Sequence, residues 1–464
     1  MPSTLSQSIH FETHLPASPE KVYAWHARPG ALGRLTPPWE NIRILARDAT
    51  IHDGARVDVS VGIGPFRKKW IAEHYGTEPG QRFCDRQLAG PFALWEHTHS
   101  MTAAENETSQ LLDDIVYQLP GGRLGLWLGG AFVRSKLERM FRYRHRVTND
   151  DLVAHAKFSG SDMKVLVSGA GGLVGAALCP FLTTGGHDVL RLRREGSTGN
   201  ENDATWDVAA GRIDANKLEG LDAVVHLAGE NIAGGRWNAG RKSQIRKSRV
   251  EGTRLLCETL AALDAPPKTL ICASAIGYYG DRGDRGDELL SETAAPGDGF
   301  LPEVCRDWEA ATEPATNAGI RVVQLRFGVI LSPQDGALAH MLTPFQFGAG
   351  GVVGSGRQYW SWIAIDDVVG AIHHAIISND LAGPVNCVAP EPVTNREFTK
   401  TLGRVLRRPT VFPLPAFAAR LVLGEMADAL LLCSARVDPL RLRQTNYEYR
   451  CPTLEDALRH LLGR

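Results

Sequence analysis

Apolar and polar positions alternate with a period of two in SIHFETHL (8–15), ARVDVSVG (55–62), RKKWIAEH (67–74) and LLDDIVYQL (111–119), which predicts a strand-rich opening of the chain. Turn-forming PASPE, RPG, GIGPF, EPG and AGPF punctuate these runs. A helix is predicted over 19–28, with Ser18 as N-cap and Pro19 in the first turn, and a basic helix over about 124–146. Residues 1–150 therefore read as an α+β module, and the polar stretch 148–162 reads as a linker. From Met163 the pattern changes. Short apolar runs at 164–167, 222–229, 268–275 and 320–328 are separated by helical segments near 240–263 and 301–318, the signature of βαβ crossovers and a doubly wound parallel sheet over 163–391. After about Pro392 helix-like segments dominate, so 392–464 is expected to be a small helical C-terminal domain.

Length agrees with this division, since 464 residues at about 150 per domain give about three domains. Lysine and arginine number 51 against 52 aspartate and glutamate, so no net field gathers nucleic acid, and nucleic-acid binding is not expected. The longest apolar stretches, 124–133 and the interrupted 416–433, are too short or too charged to span a bilayer. The first twenty residues lack the basic head and apolar run of a signal peptide, and the eight scattered cysteines show no CxxC, so a cytoplasmic protein with reduced thiols is expected.

Forty-eight glycines exceed the usual share, and one cluster has a specific reading. Gly169, Gly172 and Gly175 lie three apart between a predicted strand and a predicted helix. In such a turn the first glycine permits a tight bend, the second lets backbone approach a pyrophosphate, and the third permits close packing of the helix, whose N-terminus favours phosphate. A dinucleotide is the expected cofactor. The following strand ends in Arg193-Arg194, two guanidiniums suited to a 2′-phosphate, so NADP is favoured; Glu195 holding the ribose of NAD is the alternative.

SGAGGLVG (168–175), HLAGENIAGGRW (226–237), SRVEGTRLL (248–256), ASAIGYYG (273–280) and LRFGVIL (325–331) resemble the NAD(P)-dependent epimerase/dehydratase group of the extended short-chain dehydrogenase/reductase superfamily. With GSGRQYWSWIAIDDVV (354–369), the resemblance is closest to its atypical epimerase-like branch, which ends in a small helical domain. The first 150 residues resemble START-like (SRPBCC) helix-grip modules through PGALGRLTPPWE (29–40), AGPFALWEHTH (89–99) and LERMFRYRHR (137–146). Such modules fold a curved sheet and a long helix around a cavity, which implies an apolar ligand. Expected cofactor contacts are Gly169, Gly171, Gly172, Leu173, Val174 and Gly175, with Arg193, Arg194, Leu227, Ala228 and Gly229. The resemblance also implies a catalytic Ser, Tyr and Lys. Ser274 stands in the serine's place, but the helix that should carry the pair reads FLPEVCRDWE (300–309), without tyrosine or lysine.

Glu230, at the end of a parallel strand, and Ser274 are the candidate acid, base or substrate contacts. Arg236, Trp237, Arg249, Trp360 and Trp362 are a potential clamp for a flat or anionic ligand, against a structural role as stacked aromatics; Asp366 or Asp367 is expected to cap a helix starting near Val368. GAGGVVGSG (348–356) resembles a loop over the substrate side. Trp95, His97 and His99 share one face of a strand that would wall the START-like cavity. No third ligand accompanies the two histidines at a recognisable spacing, so no metal is expected. Arg134, Lys136, Arg139, Arg142, Arg144 and Arg146 read as a solvated or interdomain face, with a membrane-surface or anionic-ligand role as the alternative. Two functions stay open: an NADP(H)-dependent epimerase or oxidoreductase acting on a small molecule, and a non-catalytic NADP(H)-sensing or ligand-binding protein. Homo-oligomerisation is left open.

Overall fold

The structure, a computed structural model, describes residues 5–48, 50–63, 66–158, 160, 162–200, 203–283 and 287–464. These form two compact units, one chiefly of residues 1–161 and one chiefly of 162–464. No helix among the described residues is long and apolar enough to cross a membrane.

The N-terminal unit is a seven-stranded antiparallel sheet in the order β1-β7-β6-β5-β4-β3-β2. Its strands are β1 (Gln7–Leu15), β2 (Arg43–Arg47), β3 (Arg56–Ile63), β4 (Phe66–Glu78), β5 (Arg82–Ala89), β6 (Leu94–Ala103) and β7 (Ser109–Gln118). Helices α1 (Pro19–Ala27) and α2 (Ala31–Leu35) connect β1 to β2, and the long α3 (Gly122–Ala156) closes the unit. The alternation seen in the sequence is the burial pattern of β7, whose inward row is Ser109, Leu111, Asp113, Ile115 and Tyr117. Leu137, Met140 and Phe141 of α3 pack on Ile9, Trp95, Ile115 and Tyr117. The helix continues ten residues past the expected end, through the supposed linker. Asp151, fully buried, receives two 2.8 Å hydrogen bonds from the Arg34 guanidinium, and Leu152 joins the core with Trp25 and Leu111. Those long-range partners outweigh the local polarity of 148–151.

The second unit contains β8 (Lys164–Ser168), α4 (Leu173–Thr184), β9 (Asp188–Arg194), β10 (Ala204–Asp207), β11 (Arg212–Ile213), β12 (Ala223–His226), α5 (Ala239–Ala261), β13 (Thr269–Ala275) and α6 (Phe300–Ala310), then strands Arg321–Phe327 and Gly383–Cys387. The sheet order is β11-β10-β9-β8-β12-β13 followed by those last two strands, and only the β10–β11 pairing is antiparallel. This is the doubly wound order of a Rossmann sheet, reversing direction between β8 and β12. In open α/β sheets such a reversal opens a crevice at the strands' C-terminal ends. The helical segment from 392 onward groups with the same unit. Asp366 and Asp367 lie inside the first turn of helix Ile365–Ile377 instead of capping it, because both are buried against the tail: Asp367 accepts from the Arg450 and Cys451 amides, and Asp366 meets His460 at 3.1 Å.

Candidate functional site

At the reversal point, Gly169 adopts φ +69°, and a Cβ there would stand 2.9 Å from the Ala228 amide nitrogen and the Leu227 carbonyl carbon. The turn after β8 and the turn after β12 are thus in backbone contact. A Cβ on Gly175 would lie 2.3 Å from the Gly169 carbonyl oxygen, so this glycine lets α4 close on the turn itself, where the sequence suggested the sheet. Gly171 has open space around it, and Gly171 and Gly172 are exposed. Leu173 and Val174 begin α4, whose N-terminus points its first amides out of this turn. The cradle therefore has the small residues, exposed backbone and helix start that a pyrophosphate requires. Beneath it the buried Ser168 hydroxyl accepts from the Leu227 and Ala228 amides and meets His226 Nδ1 at 2.7 Å. His226 Nε2 bonds Thr253, and burial pushes this imidazole down to about 4.

The two arginines at the end of β9 part company. Arg193 pairs with Asp203 at 2.7 Å and donates to the Ser197 and Asn200 carbonyls, fixing its own loop. Arg194 is 78% exposed, with Glu230 Oε2 3.6 Å away. Glu195 pairs with Arg212. Of the expected 2′-phosphate contacts, only Arg194 presents its guanidinium outward. Glu230 also accepts from Arg241 at 2.9 Å, so it is an ion-paired carboxylate bracketed by two arginines. Arg249 donates to the Glu230 carbonyl, and Arg236 to that of Val422; Trp360 and Trp362 are buried, each with its indole N–H on a backbone carbonyl, which makes them structural.

Ser274 is buried and donates to Glu309 Oε1 at 2.7 Å. Glu309 extends from α6, whose Val304, Cys305 and Trp308 form its buried stripe. Arg326, directly across the parallel ladder from Ser274, holds both Glu309 oxygens at 2.8 Å. Arg326 also donates to the Tyr279 hydroxyl, which donates to Asn386, and its guanidinium lies 3.5 Å over the Tyr278 ring. Burial opposes the charge on Arg326, but Glu309 and Tyr279 overcome it and keep the guanidinium protonated. A serine, carboxylate and arginine thus occupy the region where the family resemblance implied serine, tyrosine and lysine. Glu309 was visible in the sequence only as a carboxylate beside an apolar helical stripe. Arg326 was hidden in a strand motif.

In the N-terminal unit, a cavity of about 200 Å³ is lined by apolar side chains, including Leu32, Val57 and Met140, and by Asp85, His97 and His99. The predicted Trp95-His97-His99 face does wall it. Arg144 lines it too and donates to the Leu35 carbonyl, so this member of the basic helix is not on a solvated face. Burial opposes charge on His97, and Asp85 and Asp113 override it, raising the imidazole to about 9. His26, also on the cavity, is pushed down to about 4 by burial and by His99.

Residues 165–387 match the NAD dependent epimerase/dehydratase family, 414–461 a domain of unknown function (DUF1731), and 15–142 the polyketide cyclase/dehydrase and lipid transport family. An epimerase family protein of Mycobacterium tuberculosis is 43% identical over 300 residues, covering 65% of this chain and 98% of that protein. The human epimerase family protein SDR39U1, solved with NADPH, is 36% identical, covers 65% of this chain and 99% of its own, and superposes with a TM-score of 0.59. A Corynebacterium glutamicum structure described as a nucleoside-diphosphate sugar epimerase is 35% identical, spans 98% of this chain and 90% of its own, and gives a TM-score of 0.81.

Proposed function

Because this chain belongs to the NAD dependent epimerase/dehydratase family, carrying a polyketide cyclase-like domain ahead of the Rossmann domain, we propose that its crevice binds NADPH and serves a hydride-transfer reaction on a small molecule. The single observation that carries the cofactor is the turn in which Gly169 and Gly175 leave no room for a Cβ while Arg194 stands exposed at the end of the next strand. Gly169, Gly171, Gly172, Leu173, Val174 and Gly175 hold the pyrophosphate, Leu227, Ala228 and Gly229 wall the crevice, and Arg194 takes the 2′-phosphate. The NADPH in the human relative supports the same choice. When bound, NADPH supplies a hydride.

Ser274 is the hydroxyl placed to meet a substrate oxygen, and Glu309 with Arg326 orients it. Glu230 acts as an anchor for Arg194 and Arg241 in this reading, since both its oxygens are held by cations. A second reading, NADPH binding without turnover, is favoured by one observation: the Ser274 hydroxyl already donates to Glu309, whose two oxygens Arg326 holds in place. Mixing purified protein with NADPH and a panel of ketones and nucleotide sugars separates the two. Nicotinamide oxidation that disappears in Ser274→Ala supports the enzyme; saturable binding with no oxidation supports the second reading. Absence of NADPH binding contradicts both.

A further inference from the structure

Among the described residues, a cluster of ligating side chains lies outside the crevice, on three adjacent strands of the N-terminal sheet. Asp85 of β5 stands directly opposite His97 of β6, and His99 of β6 stands directly opposite Asp113 of β7. His97 and His99 are two apart, so a pleated strand turns both to the same face. The outcome is an alternating ring of two carboxylates and two imidazoles, all turned inward. Asp85, His97 and His99 each bring one ligand atom within 4.8 Å of the others.

The atoms divide into an inner and an outer set. Asp85 Oδ2 faces inward, 3.1 Å from His97 Nδ1 and 3.7 Å from His99 Nε2. The remaining atom of each residue is already engaged. Asp85 Oδ1 accepts from the Trp95 indole at 3.1 Å, His97 Nε2 bonds Asp113 Oδ1 at 3.2 Å, and His99 Nδ1 lies 2.6 Å from that same oxygen. Asp113 is steadied in turn: its Oδ2 meets His145 Nε2 at 2.7 Å, and His145 Nδ1 meets Thr13. An outer carboxylate that orients ligand imidazoles is the usual second layer of a protein metal site, because it fixes the tautomer and raises the basicity of the inner nitrogen.

From this geometry we propose that Asp85 Oδ2, His97 Nδ1 and His99 Nε2 bind one divalent transition-metal ion at the wall of the N-terminal cavity, with Asp113 as the positioning carboxylate. Two imidazoles and one carboxylate suit zinc, iron(II), cobalt or nickel better than magnesium or calcium, which prefer oxygen ligands throughout. Three protein ligands leave at least one coordination position open, and the cavity lies on that side. The ligand that fits is small and largely apolar with one oxygen donor, the apolar part meeting Leu32, Val57 and Met140. The ion adds positive charge beside Asp85 and Asp113, the two carboxylates of the ring. The inference stands apart from the NADPH reading, since it uses no residue of the Rossmann domain.

The full chain, stripped with a chelator and desalted, is titrated with Co²⁺ while the visible d–d bands are followed, then back-titrated with Zn²⁺. One saturable equivalent of Co²⁺, displaced by one equivalent of Zn²⁺, is the expected result. His97→Ala and Asp85→Asn abolish the bands, and Asp113→Asn keeps the stoichiometry while weakening binding by about 10–100-fold. A variant that fails to fold leaves the wild-type titration decisive. Absence of a saturable cobalt spectrum in the wild-type chain overturns the proposal, as do unchanged bands in a folded His97→Ala variant.

Discussion

The turn after β8 and the cavity of the N-terminal sheet present chemistry to a ligand by opposite means. At the turn it comes from backbone: Gly169 and Gly175 contribute the absence of side chains, and the start of α4 contributes amides. In the cavity it comes from side chains, with Asp85, His97 and His99 aligned by strand register. A backbone site needs residues close together in sequence, whereas a register site is assembled from strands whose spacing along the chain carries no signal of it. The Ser274–Glu309–Arg326 group lies between these extremes, one residue on a helix and two on neighbouring strands.

The strongest test of that intermediate case removes Arg326. In Arg326→Met the largely enclosed Glu309 carboxylate loses both guanidinium hydrogen bonds and keeps only the one from Ser274, and unfolding of the Rossmann unit is expected to cost about 3–5 kcal/mol less, measured by denaturant titration. A smaller loss would mean that water or another cation compensates Glu309.

Acidification probes each domain through one buried neutral histidine. His226 has its pKa depressed from the ordinary 6.5 to about 4 by burial. Its contribution is complete above pH 6.5, where both folded and unfolded forms are neutral, and is lost as pH falls toward 4 because the unfolded chain takes up the proton first. The expected loss is about 3 kcal/mol across that window, and His226→Asn flattens it. His26, also held at about 4, gives the N-terminal unit the same sign of dependence.

Two glycine substitutions sharpen the contrast at the turn. Gly175→Val drives a side chain into the Gly169 carbonyl and is expected to lower NADPH affinity about 100-fold, equivalent to about 3 kcal/mol. Gly171→Ala enters open space and is expected to change stability by less than about 0.5 kcal/mol.

Legibility followed the distance over which each feature is built. The doubly wound sheet, the glycine turn and the alternating strands were readable because each is written in a few consecutive residues. The end of α3 was not, since 148–151 is locally polar and distant partners make it a core helix: the Arg34–Asp151 pair, 117 residues apart, and the packing of Leu152 on Trp25 and Leu111. The two-histidine face was readable, but Asp85 and Asp113 belong to it only by cross-strand register. Adjacent Arg193 and Arg194 looked alike, and the following loop separates them, through Asp203 and the Ser197 and Asn200 carbonyls on Arg193. The second glycine cluster has a structural explanation: a Cβ on Gly351 would lie 1.7 Å from the Phe412 carbonyl oxygen, and Gly354 donates to Leu414, so the loop makes room for the tail.

Calorimetric titration of wild type and Arg194→Ala with NADPH and NADH tests directly whether NADPH enters the crevice with Arg194 at its 2′-phosphate. Wild type is expected to prefer NADPH, and the variant to lose about tenfold or more for NADPH with NADH affinity unchanged, the size of one charge-assisted hydrogen bond. Equal affinity of wild type for the two cofactors, or an equal loss for both in the variant, contradicts the account.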